Sequence, residues 1–69
     1  MTKKVLEINA CGLHYKGYYE EGKVNPWRLY RVYWDRGEHR KMVDKFANFV
    51  SMILAVNDNV YRCLDAWKD

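Results

Sequence analysis

Between Trp27 and Phe46 side-chain character alternates with a period of two on both sides of Asp35-Arg36-Gly37, a pattern that describes an antiparallel hairpin. Gly37 can adopt the left-handed conformation that closes a three-residue, bulged loop. With that loop residue 34 faces 38, 32 faces 40, 30 faces 42 and 28 faces 44. One face then carries Tyr30, Val32, Trp34 and Met42, with an Arg28–Asp44 pair at its end and Phe46 beyond. The other carries Trp27, Leu29, Arg31, Tyr33, His39, Lys41, Val43 and Lys45. A two-residue Arg36-Gly37 loop would set Lys41 beside Val32 and Tyr30, mixing cations into the apolar side, so the bulged loop is preferred.

After the hairpin, residues 48–68 read as a helix. Phe49, Met52, Ile53, Val56, Val60, Cys63, Leu64 and Trp67 fall on one stripe at helical spacing, with Ser51, Asp58, Arg62, Asp65 and Asp69 opposite. Asn48 is placed to cap the first turn. At roughly 1.5 Å per residue this helix is about 30 Å long, enough to cross a small sheet. Val50, Leu54 and Tyr61 lie on its flank, positioned to touch the sheet edge or a second subunit.

Upstream, the strand region covers 3–19. Leu6, Ile8 and Ala10 alternate with Glu7 and Asn9, Gly12 interrupts, and 13–19 reads as a second strand in which Gly17 marks a bulge or bend. Residues 20–26 form a loop ending at Pro26. Packing the helix stripe on the cleaner sheet face (Leu6, Ile8, Tyr30, Val32, Trp34, Met42) hides both apolar surfaces. The expected fold is α+β: one domain over 1–69, with a three- or four-stranded antiparallel sheet and one C-terminal helix across one face. The face carrying Arg31, Tyr33 and Lys41 is then outermost, unless Tyr15, Tyr18 and Tyr19 fold over it.

The chain has 69 residues, and a domain of that size buries only about 60% of its unfolded surface, so each large core side chain matters. Three Trp, six Tyr and two Phe supply that surface and exceed what one small core readily holds. Net charge is +3, and the hairpin accounts for all of it: Arg28, Arg31, Arg36, Arg40, Lys41 and Lys45 stand against Asp35, Glu38 and Asp44. Cys11 and Cys63, without an export signal in the N-terminal run, read as reduced thiols in a cytoplasmic protein. No apolar run approaches the roughly 18 residues that span a bilayer, so no membrane role is expected.

Cys11-x-x-His14 with His39 and Cys63 has the ligand types of a zinc site, but the second pair lacks close spacing and Cys63 falls on the helix's buried stripe. No metal or other cofactor is expected. Catalysis is not expected either: Cys11 and His14 lack an orienting third group, and the four glycines are scattered among turns and strand ends, with no phosphate loop.

The basic, aromatic hairpin face is the remaining candidate. It reads as a nucleic-acid surface made by Arg31, Tyr33, Arg36, Lys41 and Lys45, where cations displace counterions from phosphates and rings stack on bases. Arg31 and Lys41, opposite each other across the strands, repel unless an anion relieves them. An acidic protein surface is the competing partner. In that alternative the protein is an interaction module, either a phage-type modulator of a host protein or a homodimer. Its contacts would then come from Trp27, Tyr33, Val50, Leu54 and Tyr61.

The run Trp27-x-Leu-x-Arg-Val-Tyr-Trp-Asp-x-Gly, then His39-Arg-Lys-x-Val, then Phe46 before an amphipathic helix, resembles the arm-type N-terminal DNA-binding domain of phage and transposon tyrosine recombinases. That domain is similar in layout to the plant ethylene-response DNA-binding domain, three strands against one helix with the sheet in the major groove. The resemblance covers about residues 27–60. It implies that Arg31, Tyr33, Lys41 and Lys45 face DNA, with Arg36 and Arg40 near phosphates. The longer helix, the extra N-terminal strand segment and the lack of a following catalytic domain depart from that pattern, and the chain also has the size of a small phage or prophage protein.

Overall fold

The structure, a computed structural model, describes the backbone of residues 1–68 and side chains through residue 65. Its five elements, in chain order, are β1 (Thr2–Ala10), β2 (Leu13–Glu20), β3 (Trp27–Tyr33), β4 (His39–Phe46) and α1 (Phe49–Lys68). The strands form one antiparallel sheet in the order β1-β2-β3-β4, so the fold is α+β, a meander carrying one helix. Short connections make this order the simplest one available. Cys11 and Gly12 alone join β1 to β2, both with positive φ (55° and 73°), the backbone of a two-residue turn whose twist matches the strands. At the β3–β4 end Arg36 and Gly37 both take positive φ (58° and 104°), and the ladder resumes at Tyr33–His39.

Pairing near that turn agrees with the alternation, with Val32 opposite Arg40 and Tyr30 opposite Met42. Further along, the register shifts: Leu29 pairs with Asp44 and Arg28 with Lys45, leaving Val43 as an extra residue. The expected Arg28–Asp44 pairing is therefore corrected to Arg28–Lys45, because a bulge inserts one residue and reverses the facing of everything beyond it. A second shift leaves Val5 unpaired between Lys4 and Leu6. Gly17, expected at a bulge or bend, lies at this shift, opposite Leu6, though the extra residue is on β1 and β2 itself runs unbroken with Leu29 on its other side.

Gly17 explains how the helix seats. A Cβ there would stand 3.0 Å from Leu6 Cβ and from Met52 Cε and Sδ, so its absence makes the recess that Met52 fills. Around that point Tyr15, Leu29, Met52 and Val56 form the buried core, with Val5, Leu6, Ile8, Leu13, Trp27, Phe46, Ala55 and Val60 packed against it. Asn48 Oδ1 accepts from the Ser51 amide at 2.8 Å, capping α1 as expected. Phe49 then packs its ring on Trp27, which also touches Tyr19. Met52, Val56, Ile53, Val60 and Cys63 keep to the expected stripe; Phe49 and Leu64 remain partly exposed, at 38% and 47%. The expected placement of Trp67 and Asp69 lies outside the described side chains.

Which sheet face the helix covers is the main correction. It covers the face of Tyr15, Gly17, Trp27, Leu29 and Arg31, with Leu6 and Ile8 beneath it as expected. Tyr30, Val32, Trp34 and Met42, also expected there, lie on the other side, Val32 buried and Trp34 61% exposed. Counting apolar residues favoured the wrong face. Helix packing needs a recess with an aliphatic floor, which Gly17 and Leu29 provide and a row of rings does not.

The sulfur atoms of Cys11 and Cys63 form a disulfide, correcting the expectation of two reduced thiols. It joins the β1–β2 turn to the C-terminal half of α1, beyond the last helix residue packed on the core. With both sulfurs in that bond, the Cys–His set considered for zinc has no thiolate to offer.

Candidate nucleic-acid interface

Arg31 and Lys41 are direct cross-strand neighbours on the helix-covered face, toward the β3–β4 turn, where α1 borders them through Asn59. Together with Tyr15, Tyr33, Met42, Val43 and Asn59 they line a cleft of about 220 Å³. Asn59 comes from α1, fixed by donating from Nδ2 to the Ala55 carbonyl at 2.8 Å. Tyr15 closes the floor and belongs to the core; burial pushes its phenol pKa up, with Arg31 pulling it part of the way back. The Arg31 guanidinium lies 4.9 Å from the centre of the Tyr33 ring, a cation–π contact that holds both groups in place. Tyr33 is 40% exposed.

Among the described residues neither Arg31 nor Lys41 makes an ion pair. Asp44 lies further along β4, and its Oδ1 accepts from the Lys45 amide at 2.8 Å. Two adjacent cations without a carboxylate form a local positive potential, framed by rings and an amide. Chemically, such a cleft can hold an anionic oxygen group and stack a planar one.

The opposite face contrasts with this cleft. Lys16 Nζ donates to Glu38 Oε1 at 2.9 Å, and Arg40 Nε donates to Glu38 Oε2 at 3.1 Å. Hydrogen bonding from Lys16 and then Arg40 holds the Glu38 carboxyl below its ordinary range. Arg40 also lies over Tyr18, whose ring meets Tyr30 edge-on. Near β1, Glu7 accepts from Lys4 at 2.8 Å and contacts His14 Nε2 at 3.0 Å, which lowers its pKa in turn. Arg28 Nε and Glu20 Oε2 pair at 2.9 Å, both atoms withdrawn from solvent.

Of the five residues expected to meet nucleic acid, the structure brings together Arg31, Tyr33 and Lys41, on the helix side and not on an outer face. Arg36 sits at the turn beyond them, and Lys45 lies on the opposite face beside Arg28, carried there by the Val43 bulge. Sequence reasoning missed Tyr15 and Asn59 as lining residues. The alternation Tyr15-x-Gly17-x-Tyr19 put Tyr15 within reach, but nothing local marks Asn59. In the protein-contact set, Trp27 is half-buried between Tyr19 and Phe49, correcting its expected exposure. Val50, Leu54 and Tyr61 are 66%, 61% and 67% exposed along one side of α1. Residues 13–20 form a strand within the sheet, so Tyr18 belongs to the outer face and Tyr15 to the core.

No protein-family model, no curated protein and no solved structure matches this chain. No helix among the described residues is long and apolar enough to cross a membrane.

Proposed function

We propose that this is a small, non-enzymatic accessory protein that binds nucleic acid through the turn-proximal half of its β3–β4 hairpin, with Arg31 and Lys41 on phosphate, Tyr33 stacking and Arg36 adding charge at the turn. One observation carries this reading: Arg31 and Lys41 stand side by side without an acidic partner among the described residues, while on the other face Lys4, Lys16, Arg28 and Arg40 are paired and Lys45 stands alone, with no second unpaired cation opposite it. Cations whose charge is already matched gain little from a phosphate; an unmatched pair gains relief of its own repulsion as well. Lys45 is not part of this surface. The test is fluorescence anisotropy with labelled DNA at low and physiological salt. Binding should fall steeply with salt and disappear in Arg31→Glu/Lys41→Glu, with circular dichroism unchanged. Unchanged affinity in that folded double variant would sink the proposal.

A second reading, an interaction module, is favoured by the exposure of Val50, Leu54 and Tyr61 on one side of α1. A second copy of the chain, or a host protein approached by a phage-type modulator, would cover that stripe. Light scattering at high concentration separates these readings, since a monomer removes the homodimer. An acidic protein ligand would use the Arg31–Lys41 cleft itself and would show weaker salt dependence than nucleic acid.

A cytoplasmic site of action belongs to the nucleic-acid reading, and the resemblance to recombinase arm domains adds to it. The disulfide pulls the other way, because reducing compartments keep thiols apart. Thiol trapping in cell extracts decides this: alkylation of Cys11 and Cys63 before any reductant is added places the working protein in a reducing compartment.

A further inference from the structure

We infer that the cleft takes single-stranded nucleic acid, one phosphate held between Arg31 and Lys41 and the adjoining base stacked on Tyr33, and that duplex is excluded from the same contacts. This rests on the nucleic-acid reading above and adds strandedness to it. The reason is where the helix lies. A duplex major groove is about 12 Å wide and admits a two-stranded ribbon or a helix alone. Here the ribbon face that presents Arg31, Tyr33 and Lys41 also carries α1, whose Asn59 forms one wall of the cleft. A helix with side chains is itself about 10–12 Å across, so ribbon and helix together do not fit one groove. The outer face of the ribbon, which does have clearance, offers Arg40 and Arg28 already bound to Glu38 and Glu20, and beside them the single cation Lys45.

A single strand meets none of these barriers. Its backbone bends into a concave site, and its bases are available to a ring without unpairing. Tyr33 is suited to that role because the Arg31 guanidinium, 4.9 Å from its ring centre, fixes its position while leaving 40% of the residue in solvent. A base stacking on Tyr33 extends an ordered cation–ring pair and places its own phosphate within reach of Arg31 and Lys41.

The experiment titrates the whole protein into a labelled mixed-sequence oligonucleotide of about sixteen nucleotides, within the range one small single-strand site covers, and into the same oligonucleotide as a duplex. The expected result is single-strand binding at least about tenfold tighter, with a further loss of about tenfold in Tyr33→Ala that Tyr33→Phe restores because the ring is kept. Circular dichroism of each variant guards against unfolding. Equal or tighter duplex binding that Arg31→Glu/Lys41→Glu abolishes would overturn the strandedness inference and leave the phosphate reading standing. Absence of binding to either form at low salt would overturn both.

Discussion

On the side of the sheet away from the helix, Lys16, Glu38, Arg40, Tyr18 and Tyr30 form a continuous chain of hydrogen bonds, ion pairs and ring contacts. On the helix side Arg31, Lys41 and Tyr33 have similar chemistry, but no carboxylate pairs with either cation among the described residues. By composition alone the two groups look alike. In the first, cations and rings stabilise each other and cover the sheet, with the stems of Lys and Arg serving as apolar cover. In the second the charge is left unmatched among the described residues. A basic, aromatic surface is therefore better judged by which charges are already matched than by how many there are.

The comparison depends on the helix defining one face, so removing what holds the helix should have the largest effect. The Cys11–Cys63 bond spans 52 residues of sequence. Closing a loop of that length in the unfolded chain is worth about 4 kcal/mol in the chain-entropy account. Cys11→Ser/Cys63→Ser should lose most of that in urea unfolding, and a negligible loss would show that the core alone fixes α1.

Next in size is a contrast between the faces. Leu29→Ala, at a fully buried site, should cost about 3 kcal/mol, whereas Met42→Ala, 38% exposed, should cost about 1 kcal/mol. The reverse order in denaturant midpoints would restore the face assignment that the apolar count favours. Smaller again is Gly17→Ala, expected to cost about 1–3 kcal/mol because the new methyl group meets Leu6 and Met52 at 3.0 Å. Combining it with Met52→Ala should cost less than the sum of the two changes, since both act on one recess.

The smallest effect belongs to the outer network and shows as a pH dependence. Glu38 and Glu7 titrate below the ordinary value of 4.5 in the folded protein, through hydrogen bonds from Lys16 and Arg40 and from Lys4 and His14. A depressed carboxyl stabilises the fold fully above its unfolded pKa, and that contribution is lost as pH falls through the folded value. The stability gap between wild type and Glu7→Gln/Glu38→Gln should thus be present near neutral pH and shrink as the pH is lowered beneath the ordinary carboxyl value of 4.5. A gap that stays constant with pH would mean these ion pairs contribute nothing through charge. Lys4–Glu7 and Arg40–Glu38 are the more exposed of these pairs, so the gap should also narrow with salt.

Much of the fold was legible because it is written locally. The stripe through Met52 and Val56, the Asn48 cap and the alternation of β3 and β4 each depend on neighbours in sequence, and each appears where expected. The juxtaposition of Arg31, Tyr33 and Lys41 was legible for the same reason, since the hairpin register near its turn is set by loop length. Lys45 was misplaced by the single extra residue at Val43, which no composition signal announces. Asn59 joined the cleft only because the helix crosses the sheet at a particular angle.

By itself the sequence determined the hairpin, the helix and, as far as the Val43 bulge, which hairpin residues share a face, since strand and helix periods are properties of the local backbone. Tertiary structure decided which face the helix covers, which cations find a carboxylate and whether two cysteines 52 positions apart meet. The physical reason is common to all three. Each depends on contacts between segments far apart in the chain, where one missing Cβ at Gly17 or one inserted residue at Val43 outweighs a whole row of apolar side chains.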